Sequence, residues 1–157
     1  MCDCRGDRLI FGRNLGYMIR EIREDDYPRL MDIWESAVKS THEFLLEEDF
    51  LYFKERLPIY FQYAHLFGLE KNGAIYGFIG VAEGNLEMLF VHNNYRGMGV
   101  GKELAQYAID NLSVTKVDVN EQNLQAIGFY THIGFHVVGR SELDGQGKAY
   151  PILHMEI

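Results

Sequence analysis

A glycine-rich turn flanked by two cationic side chains is the part of this sequence best suited to chemistry. Residues 91–102 read VHNNYRGMGVGK and contain three glycines but no acidic residue. Glycine allows the backbone to approach a ligand closely and to adopt a positive φ where a turn needs one. An amphipathic helix is predicted to follow, and its first N–H groups lack helical acceptors, which makes a site for anions. Because Arg96 and Lys102 add positive charge to a chain of formal net charge -8, we expect a phosphate-bearing ligand here.

Two familiar phosphate-binding loops fit this turn poorly. A P-loop needs a glycine five residues before its Gly-Lys pair and Ser or Thr after it, but Arg96 and Glu103 stand at those places. A dinucleotide fingerprint needs a small residue where Lys102 stands. Its first half does fit, and Asp118 could imitate its ribose-binding acid. An NAD(P)-dependent oxidoreductase and a simple strand-to-helix turn without a ligand therefore stay open as alternatives.

A second motif follows this turn along the chain. Residues 119–130 read VNEQNLQAIGFY, and a Gly-Phe pair comes shortly after them. The two patterns R-x-x-G-x-G and V-x-x-x-N-x-x-A-x-x-F-Y resemble the core of the GCN5-related N-acetyltransferase (GNAT) family, in the same order and at a similar separation. Further strings, at residues 34–36, 40–45 and 139–151, resemble the bacterial YjaB-like subgroup of that family.

The elements that must position these motifs are strands and amphipathic helices. Asp25, Asp26 and Pro28 provide helix-start chemistry after a first strand, and Asn72-Gly73 is a strong hairpin signal. In chain order we predict a strand at 17–23, a helix from Asp25, a helix at 49–57 disturbed at its end by Pro58, strands at 64–70, 75–83 and 86–92, a helix at 99–112, a strand at 115–119, a helix at 123–132 and strands at 135–142 and 149–156. The order β-α-α-β-β-β-α-β-α-β-β predicts a mixed α/β (α+β) fold around one curved sheet.

The resemblance implies a fold and an activity. It implies a GNAT-type central curved mixed sheet in which two parallel strands splay apart at the cofactor site. It also implies an acetyl-CoA-dependent N-acetyltransferase that moves an acetyl group from the thioester to a primary amine by direct attack. A non-catalytic module that binds or senses acyl-CoA is the alternative from a different class. The acceptor is expected to be a small-molecule amine or an amine of a peptide or protein.

The resemblance also assigns cofactor contacts to the residues that match the family motifs. Main-chain N–H groups of the glycine-rich turn would hold the pyrophosphate of coenzyme A, and the preceding strand would pair with its pantetheine arm. Asn123 would either hydrogen-bond this arm or cap the helix that starts there, or do both. The predicted cofactor contacts are Leu89, Phe90, Val91, Arg96, Gly97, Met98, Gly99, Val100, Gly101, Lys102, Asn123, Ala126, Phe129 and Tyr130.

Two residues are predicted to take part in catalysis. Tyr130 matches the tyrosine with which family members protonate the leaving thiolate, although it could instead be a core aromatic. Transfer of a phenol proton to a thiolate is uphill by about 2 kcal/mol at ordinary pKa values, so hydrogen bonding to the sulfur is its expected contribution unless the site lowers its pKa. The amine must lose a proton before it attacks. Strand alternation could direct Glu87 toward the substrate side of the sheet, so Glu87 is the candidate base; the alternative is an ordinary exposed glutamate. Trp34, His42, Phe44 and Tyr150 are expected to contact the acceptor.

Composition bounds the remaining possibilities. With 157 residues, 47% of them hydrophobic, the chain is long enough for one well-packed core. We expect an N-terminal extension at 1–17 and a single acetyltransferase domain at 18–157, as a monomer or homodimer in the cytoplasm. The acidic balance argues against nucleic-acid binding, and the lack of a long apolar run argues against a membrane protein. We expect no metal site and interpret Cys2 and Cys4 as incidental thiols.

Overall fold

The computed structural model describes residues 10–11 and 16–157. Its elements are β1 (Ile10–Phe11), β2 (Tyr17–Glu21), α1 (Tyr27–Thr41), α2 (Glu47–Tyr63), β3 (His65–Lys71), β4 (Ala74–Ala82), β5 (Asn85–Val91), α3 (Val100–Asn111), β6 (Lys116–Asn120), α4 (Leu124–Ile133), β7 (His136–Ser141) and β8 (Ile152–Glu156). From β2 onward the predicted order of strands and helices is confirmed. Within the described ranges, no helix is long and apolar enough to cross a membrane.

The N-terminal segment contributes one short strand. Backbone pairing of β1 with β2 joins Ile10 to Ile19 and Phe11 to Met18, and β2 itself begins at Tyr17. The proposed boundary between an extension and a domain at residue 18 remains a prediction. Cys2 and Cys4 lie outside the described residues.

The strands form one mixed sheet in the order β1-β2-β3-β4-β5-β6-β8-β7. β5 and β6 are parallel, and the other neighbouring strands are antiparallel. The parallel pair is joined through α3, which makes a strand–helix–strand crossover. At the β3–β4 hairpin, Asn72 and Gly73 have φ angles of 53° and 77°, as expected for an Asn-Gly turn.

Two hydrophobic clusters cover the two faces of this sheet, because successive strand side chains point to opposite sides. On β3, Leu66 packs with α1 and α2, whereas the next residue, Phe67, packs with α3. The first cluster includes Leu30, Ile33 and Phe61 of the two N-terminal helices together with Phe78 of the sheet. The helices α1 and α2 therefore cover one face, and α3 and α4 cover the other.

The predicted end of α2 is wrong, since the helix runs through Pro58 to Tyr63. Proline removes one backbone donor and usually destabilises a helix interior by about 3 kcal/mol. Here Leu57 and Phe61 on either side of it are 3% and 1% exposed, and the Phe61 ring packs 5.8 Å from that of Phe78. Burial of this apolar face against the sheet outweighs the lost hydrogen bond.

The parallel strands β5 and β6 separate after a short contact. In the described part of the chain, their ladder consists of Asn85 with Lys116 and Leu86 with Val117. Both strands continue beyond these pairs, to Val91 and Asn120 respectively. The predicted splay is therefore confirmed, and it leaves main-chain groups of β5 and β6 facing a gap.

Candidate active site

A cavity of about 290 Å³ occupies the gap between the splayed strands. Its walls come from β5, β6, the start of α3 and the first turns of α4. Nine predicted cofactor residues line it, namely Leu89, Phe90, Val91, Arg96, Gly101, Asn123, Ala126, Phe129 and Tyr130. The two sequence motifs thus meet around one space, although a long stretch of chain separates them.

The glycine-rich turn brings unpaired main-chain donors to the edge of this cavity. Gly97 and Gly99 have φ angles of 75° and 80°, which side-chain-bearing residues adopt only with strain. The first hydrogen bond of α3 runs from the Glu103 N–H to the Gly99 carbonyl at 3.0 Å. The N–H groups of the residues between them precede that bond and have no helical acceptor. They are available to an anion, and the helix dipole favours negative charge at the same place.

Five predicted cofactor residues do not line the cavity, namely Gly97, Met98, Gly99, Val100 and Lys102. Val100 is 6% exposed and packs in the core, and Lys102 is exposed. Met98, Gly99 and Val100 instead border a pocket of about 40 Å³ shared with β2, β3 and β4. Gly97, Gly99 and the buried Val100 can therefore contact a ligand only through the main chain, whereas the Met98 side chain is 58% exposed.

An arginine connects the two motifs at the surface. The Arg96 guanidinium donates a hydrogen bond to the side-chain oxygen of Gln125 in the first turn of α4. On the other side, the Asn93 N–H donates to the Ser36 hydroxyl of α1 at 2.9 Å. The turn is therefore tied to α4 and to α1, and the cationic side chain is held at the mouth of the cavity.

Asn123 caps α4 and also points into the cavity. Its Oδ1 accepts the Ala126 N–H at 3.1 Å, which confirms the capping role considered from the sequence. Its Nδ2 lies 3.5 Å from Nε2 of His42. One side chain thus fixes the start of α4 and presents an amide donor toward the cavity.

Tyr130 is 7% exposed and is held between two aromatic rings. The rings of Phe129 and Phe135 pack edge-on at 5.1 and 5.6 Å. Burial raises the pKa of the Tyr130 phenol well above its ordinary value, so the site does not lower it. Among the described residues no hydrogen-bond partner occupies its hydroxyl, which remains a neutral proton donor in the cavity wall.

A larger cavity of about 550 Å³ lies beside the first, next to α1 and α2. All four predicted acceptor contacts, Trp34, His42, Phe44 and Tyr150, line it. Trp34 is 5% exposed and stacks on Phe50 at 5.1 Å, so it serves mainly as a wall. The charged side chains in this lining, Glu87 and Asp144, are both acidic. An apolar, aromatic chamber with negative charge suits a cation carried on an aliphatic stem.

The two cavities share part of their lining. The shared residues are His42, Glu87, Met88, Phe90 and Asn120. A group bound in one cavity can therefore meet a group bound in the other at this junction. Three predicted residues line both cavities, namely His42, Glu87 and Phe90, and the first two carry titratable side chains.

Glu87 occupies an exposed position on β5 that opens onto the junction. Partial burial of the carboxyl raises its pKa, and the charges of Asp118 and Glu83 act in the same direction, while a hydrogen bond with Asn85 opposes them. A carboxylate with a raised pKa is a better proton acceptor than an ordinary one. Glu87 lines both cavities, and its role as the base stays a prediction.

The sequence did not reveal how the loop between β7 and β8 is held over the larger cavity. Asp49 at the start of α2 is the buried charged residue among those described. It accepts a hydrogen bond from the Tyr150 hydroxyl and pairs with Lys148 Nζ at 2.6 Å. The Leu46 N–H donates to the same tyrosine oxygen at 3.2 Å. Asp49 read as an ordinary acidic residue of a first helical turn, and only tertiary structure shows its second role.

Known proteins with related sequences have an acetyltransferase domain. The sequence model of the acetyltransferase (GNAT) domain matches residues 35–157 of this chain. The peptidyl-lysine N-acetyltransferase YjaB of Salmonella typhimurium is 35% identical over 138 residues, which are 87% of this chain and 95% of that protein.

Solved structures agree in fold. The solution structure of apo YjaB from Escherichia coli has a TM-score of 0.80 and 35% identity, and covers 89% of this chain and 96% of its own. The PaiA N-acetyltransferase of Thermoplasma acidophilum, solved in complex with coenzyme A, has a TM-score of 0.65 at 21% identity and covers 90% and 99%.

Proposed function

Since the chain belongs to the GNAT acetyltransferase family, we propose that it acetylates the side-chain amine of a lysine in a peptide or protein. It is an acetyl-CoA-dependent N-acetyltransferase, and acetyl-CoA supplies the acetyl group as an activated thioester. The larger cavity carries the proposal for the acceptor, because a lysine combines an apolar stem with a cationic head and the lining combines aromatic walls with two carboxylates. The YjaB relatives are peptidyl-lysine N-acetyltransferases, which supports the same acceptor.

We propose that the smaller cavity binds the donor chiefly through the main chain. The free N–H groups at the start of α3 would hold the diphosphate, and each hydrogen bond to a charged oxygen contributes about 1.5–3 kcal/mol. Arg96 adds charge at the mouth. The unpaired edge of β5 at Leu89, Phe90 and Val91 would pair with the amides of the arm, and the Asn123 side chain would add a donor.

Tyr130 is proposed to act on the leaving sulfur. Its raised pKa makes full transfer of the proton to a thiolate costlier than between unperturbed groups. A neutral phenol nevertheless donates a strong hydrogen bond to a sulfur that is gaining negative charge. Tyr130 would therefore stabilise the transition state rather than lose its proton early.

Glu87 is proposed to attract the ammonium group to the junction. Its carboxylate faces the meeting point of the two cavities, and a negative charge there lowers the free energy of a bound lysine head. As the candidate base of the sequence, it would also be able to accept a proton.

Mass spectrometry of lysine-containing peptides incubated with acetyl-CoA tests this function. We expect each modified peptide to gain one acetyl group on a lysine and to release one equivalent of coenzyme A. Free polyamines and other small amines serve as the comparison and should react with lower kcat/KM. Binding of coenzyme A without turnover on any amine would contradict the proposal and favour the acyl-CoA-sensing alternative. The location in the cytoplasm and the choice between monomer and homodimer remain predictions.

A further inference from the structure

His42 stands where α1 ends and where the two cavities meet. It is the C-terminal cap of α1, and its N–H donates to the Val38 carbonyl at 2.8 Å. Its ring packs 5.3 Å from that of Phe44 and borders both cavities. A ring in this position is in reach of an amine that approaches the thioester from the larger cavity.

The hydrogen bonds around the ring fix which of its nitrogens carries the proton. The Thr41 hydroxyl has a single proton, and it donates that proton to the Ala37 carbonyl at 2.7 Å. Toward the ring nitrogen Nδ1, 2.8 Å away, the same hydroxyl oxygen can only accept. Nδ1 must therefore carry the hydrogen, and the lone pair of Nε2 is left as an acceptor, with the long contact to the Asn123 amide as its hydrogen bond.

The lone pair of Nε2 faces the junction of the cavities. Its nearest described partner is the Asn123 amide nitrogen at 3.5 Å, a distance at the outer limit of hydrogen bonding. Burial lowers the pKa of His42, so the ring is neutral near pH 7. The titratable and charged groups that line the cavities with it are Glu87 on β5, Arg96 before α3, Asp118 on β6, Tyr130 on α4, Tyr60 and Tyr63 on α2, and Asp144 and Tyr150 after β7.

We propose that Nε2 of His42 takes the proton that the lysine ammonium must lose before attack, and that Thr41 is a positioning residue that fixes the tautomer. This inference rests on the function proposed above, because it requires an amine acceptor in the larger cavity. It assigns proton removal to the imidazole and leaves to Glu87 the attraction of the cation.

The protons balance in this scheme. The ammonium nitrogen starts with three hydrogens and the amide product retains one. The first passes to Nε2 of His42 and from there to water, so that the free amine attacks the carbonyl carbon as the carbon–sulfur bond breaks. The second leaves the nitrogen after the new bond forms and is delivered, in net terms, to the sulfur beside Tyr130. Protonated His42 keeps its Nδ1–H bond to Thr41, which becomes charge-assisted.

Nitrogen-detected NMR of the imidazole side chains tests the tautomer without any turnover. We expect the His42 ring to be protonated on Nδ1 in the free protein and to titrate below its ordinary pKa of about 6.5. Thr41→Val should leave the His42 ring as a mixture of the Nδ1-protonated and Nε2-protonated tautomers. Thr41→Ser should restore the Nδ1-protonated tautomer, and Ser40→Ala should leave it unchanged. Ser40 is a matched control because its hydroxyl also bonds to helix carbonyls, those of Ser36 and Ala37, but not to the ring. Protonation of Nε2 in the unmodified protein would overturn the proposal.

The pH dependence of kcat on a lysine peptide tests the proton transfer itself. We expect kcat of the unmodified enzyme to stay level between about pH 7 and 9, and to fall only as the pH drops through the lowered pKa of His42, which lies below the ordinary value of about 6.5. His42→Gln should lower kcat near pH 7 by about 10²–10⁴-fold and make it rise steadily with pH, because the amine must then ionise unaided. Thr41→Val should lower kcat by about tenfold, the equivalent of one hydrogen bond, with recovery in Thr41→Ser.

Two further measurements separate the competing explanations. Calorimetry of coenzyme A binding shows whether His42→Gln remains folded, and we expect its Kd to be unchanged. If kcat stayed level with pH in His42→Gln but not in Glu87→Gln, the assignment of His42 as the base would be overturned, and Glu87 would be the base. An unmodified enzyme that acetylates no lysine peptide would instead overturn the proposed acceptor.

Discussion

The two cavities of this molecule are built in different ways. The smaller one is formed largely by the backbone. Glycines with positive φ, the start of α3 and the separated strands β5 and β6 surround it. The larger one is lined by side chains of α1, α2, the neighbouring strands and the β7–β8 loop, and many of them are aromatic. Backbone-made sites leave recognisable glycine and asparagine spacings in the sequence, whereas a side-chain-made chamber looks like ordinary core. The proposed donor site (the donor half) is therefore recognisable from the spacing of a motif, whereas the proposed acceptor contacts (the acceptor half) could be named only through the family resemblance.

Replacement of Tyr130 by phenylalanine should have the largest effect, because it removes the proton donor and keeps the ring packing. We expect kcat to fall by about 10²–10⁴-fold while the Kd for coenzyme A stays the same. Steady-state kinetics and calorimetry measure the two quantities. Tyr95→Phe is the control, since Tyr95 stacks on Tyr76 and lines neither cavity. Unchanged turnover in Tyr130→Phe would return Tyr130 to a packing role.

Gly101→Leu should damage the donor half alone. A Cβ at this position would already lie 3.6 Å from Val91 and 3.7 Å from Phe129, so the remaining atoms of a leucine would fill the mouth of the smaller cavity. We expect the Kd for coenzyme A to rise by about 100-fold, with the sheet intact by circular dichroism. The control is Gly128→Leu, because a Cβ there would point into open space. Unaltered affinity in Gly101→Leu would contradict the placement of the donor.

Asp49→Ala should damage the acceptor half alone. It removes the partner of Lys148 and Tyr150, so the β7–β8 loop loses its buried attachment to α2 and keeps the contacts of Tyr52 with Gln146 and Lys148. We expect the peptide KM to rise by about tenfold and the free energy of unfolding to fall by about 1–3 kcal/mol, with coenzyme A affinity unchanged. Glu48→Gln, at an exposed position of the same helical turn, is the control. A change confined to coenzyme A binding would break the division between the two halves.

The same variant has a pH signature. The hydrogen bonds from Lys148 and then Tyr150 lower the pKa of Asp49 in the folded protein. A lowered folded pKa contributes stability above the unfolded value of about 3.9, and that stability is lost as the pH falls through the folded value. The difference in urea midpoint between the unmodified protein and Asp49→Ala should therefore be largest near neutral pH and shrink below about pH 4.

Truncation of the N-terminus should have the smallest effect and should spare both halves. Removal of residues 1–16 deletes β1, whose described pairing with β2 is two residues long, and we expect little change in kcat. Removal of residue 17 as well deletes the hydrogen bond from the Tyr17 hydroxyl to Glu103 at 2.7 Å, and should cost about 0.5–1.5 kcal/mol more. Thermal unfolding compares the two chains. A large loss of stability on the first truncation would contradict an N-terminal extension at 1–17.

Much of the fold could be predicted because local signals agreed with tertiary packing. Asn72-Gly73 set the hairpin, and the apolar spacing of α3 set a helix that packs as expected. The end of α2 could not be predicted, because Pro58 is a strong local signal for a helix end and the opposing signal is burial of Phe61 against a distant strand. Local propensity is a weak prior when a side chain gains an apolar partner.

The candidate site divides in the same way. Arg96, Asn123 and Tyr130 stand in a pattern whose spacing reflects the geometry of the smaller cavity. The ion pair of Asp49 with Lys148 joins two segments that are distant in sequence. The local sequence around either residue does not predict it. The tautomer of His42 depends on which acceptor the Thr41 hydroxyl donates its one proton to. That choice depends on contacts in the folded structure.

The sheet consists of two parts, which we call panels: β1 to β5, and β6 with β8 and β7. Among the described residues, their strands pair with each other only through a short ladder between β5 and β6. In the described chain, two residue pairs join β1–β5 to the panel of β6, β8 and β7, with the helix crossover and the core as further links. A donor whose amide-bearing arm fills the gap would add hydrogen bonds between these panels. Binding of the donor would then also stabilise the sheet.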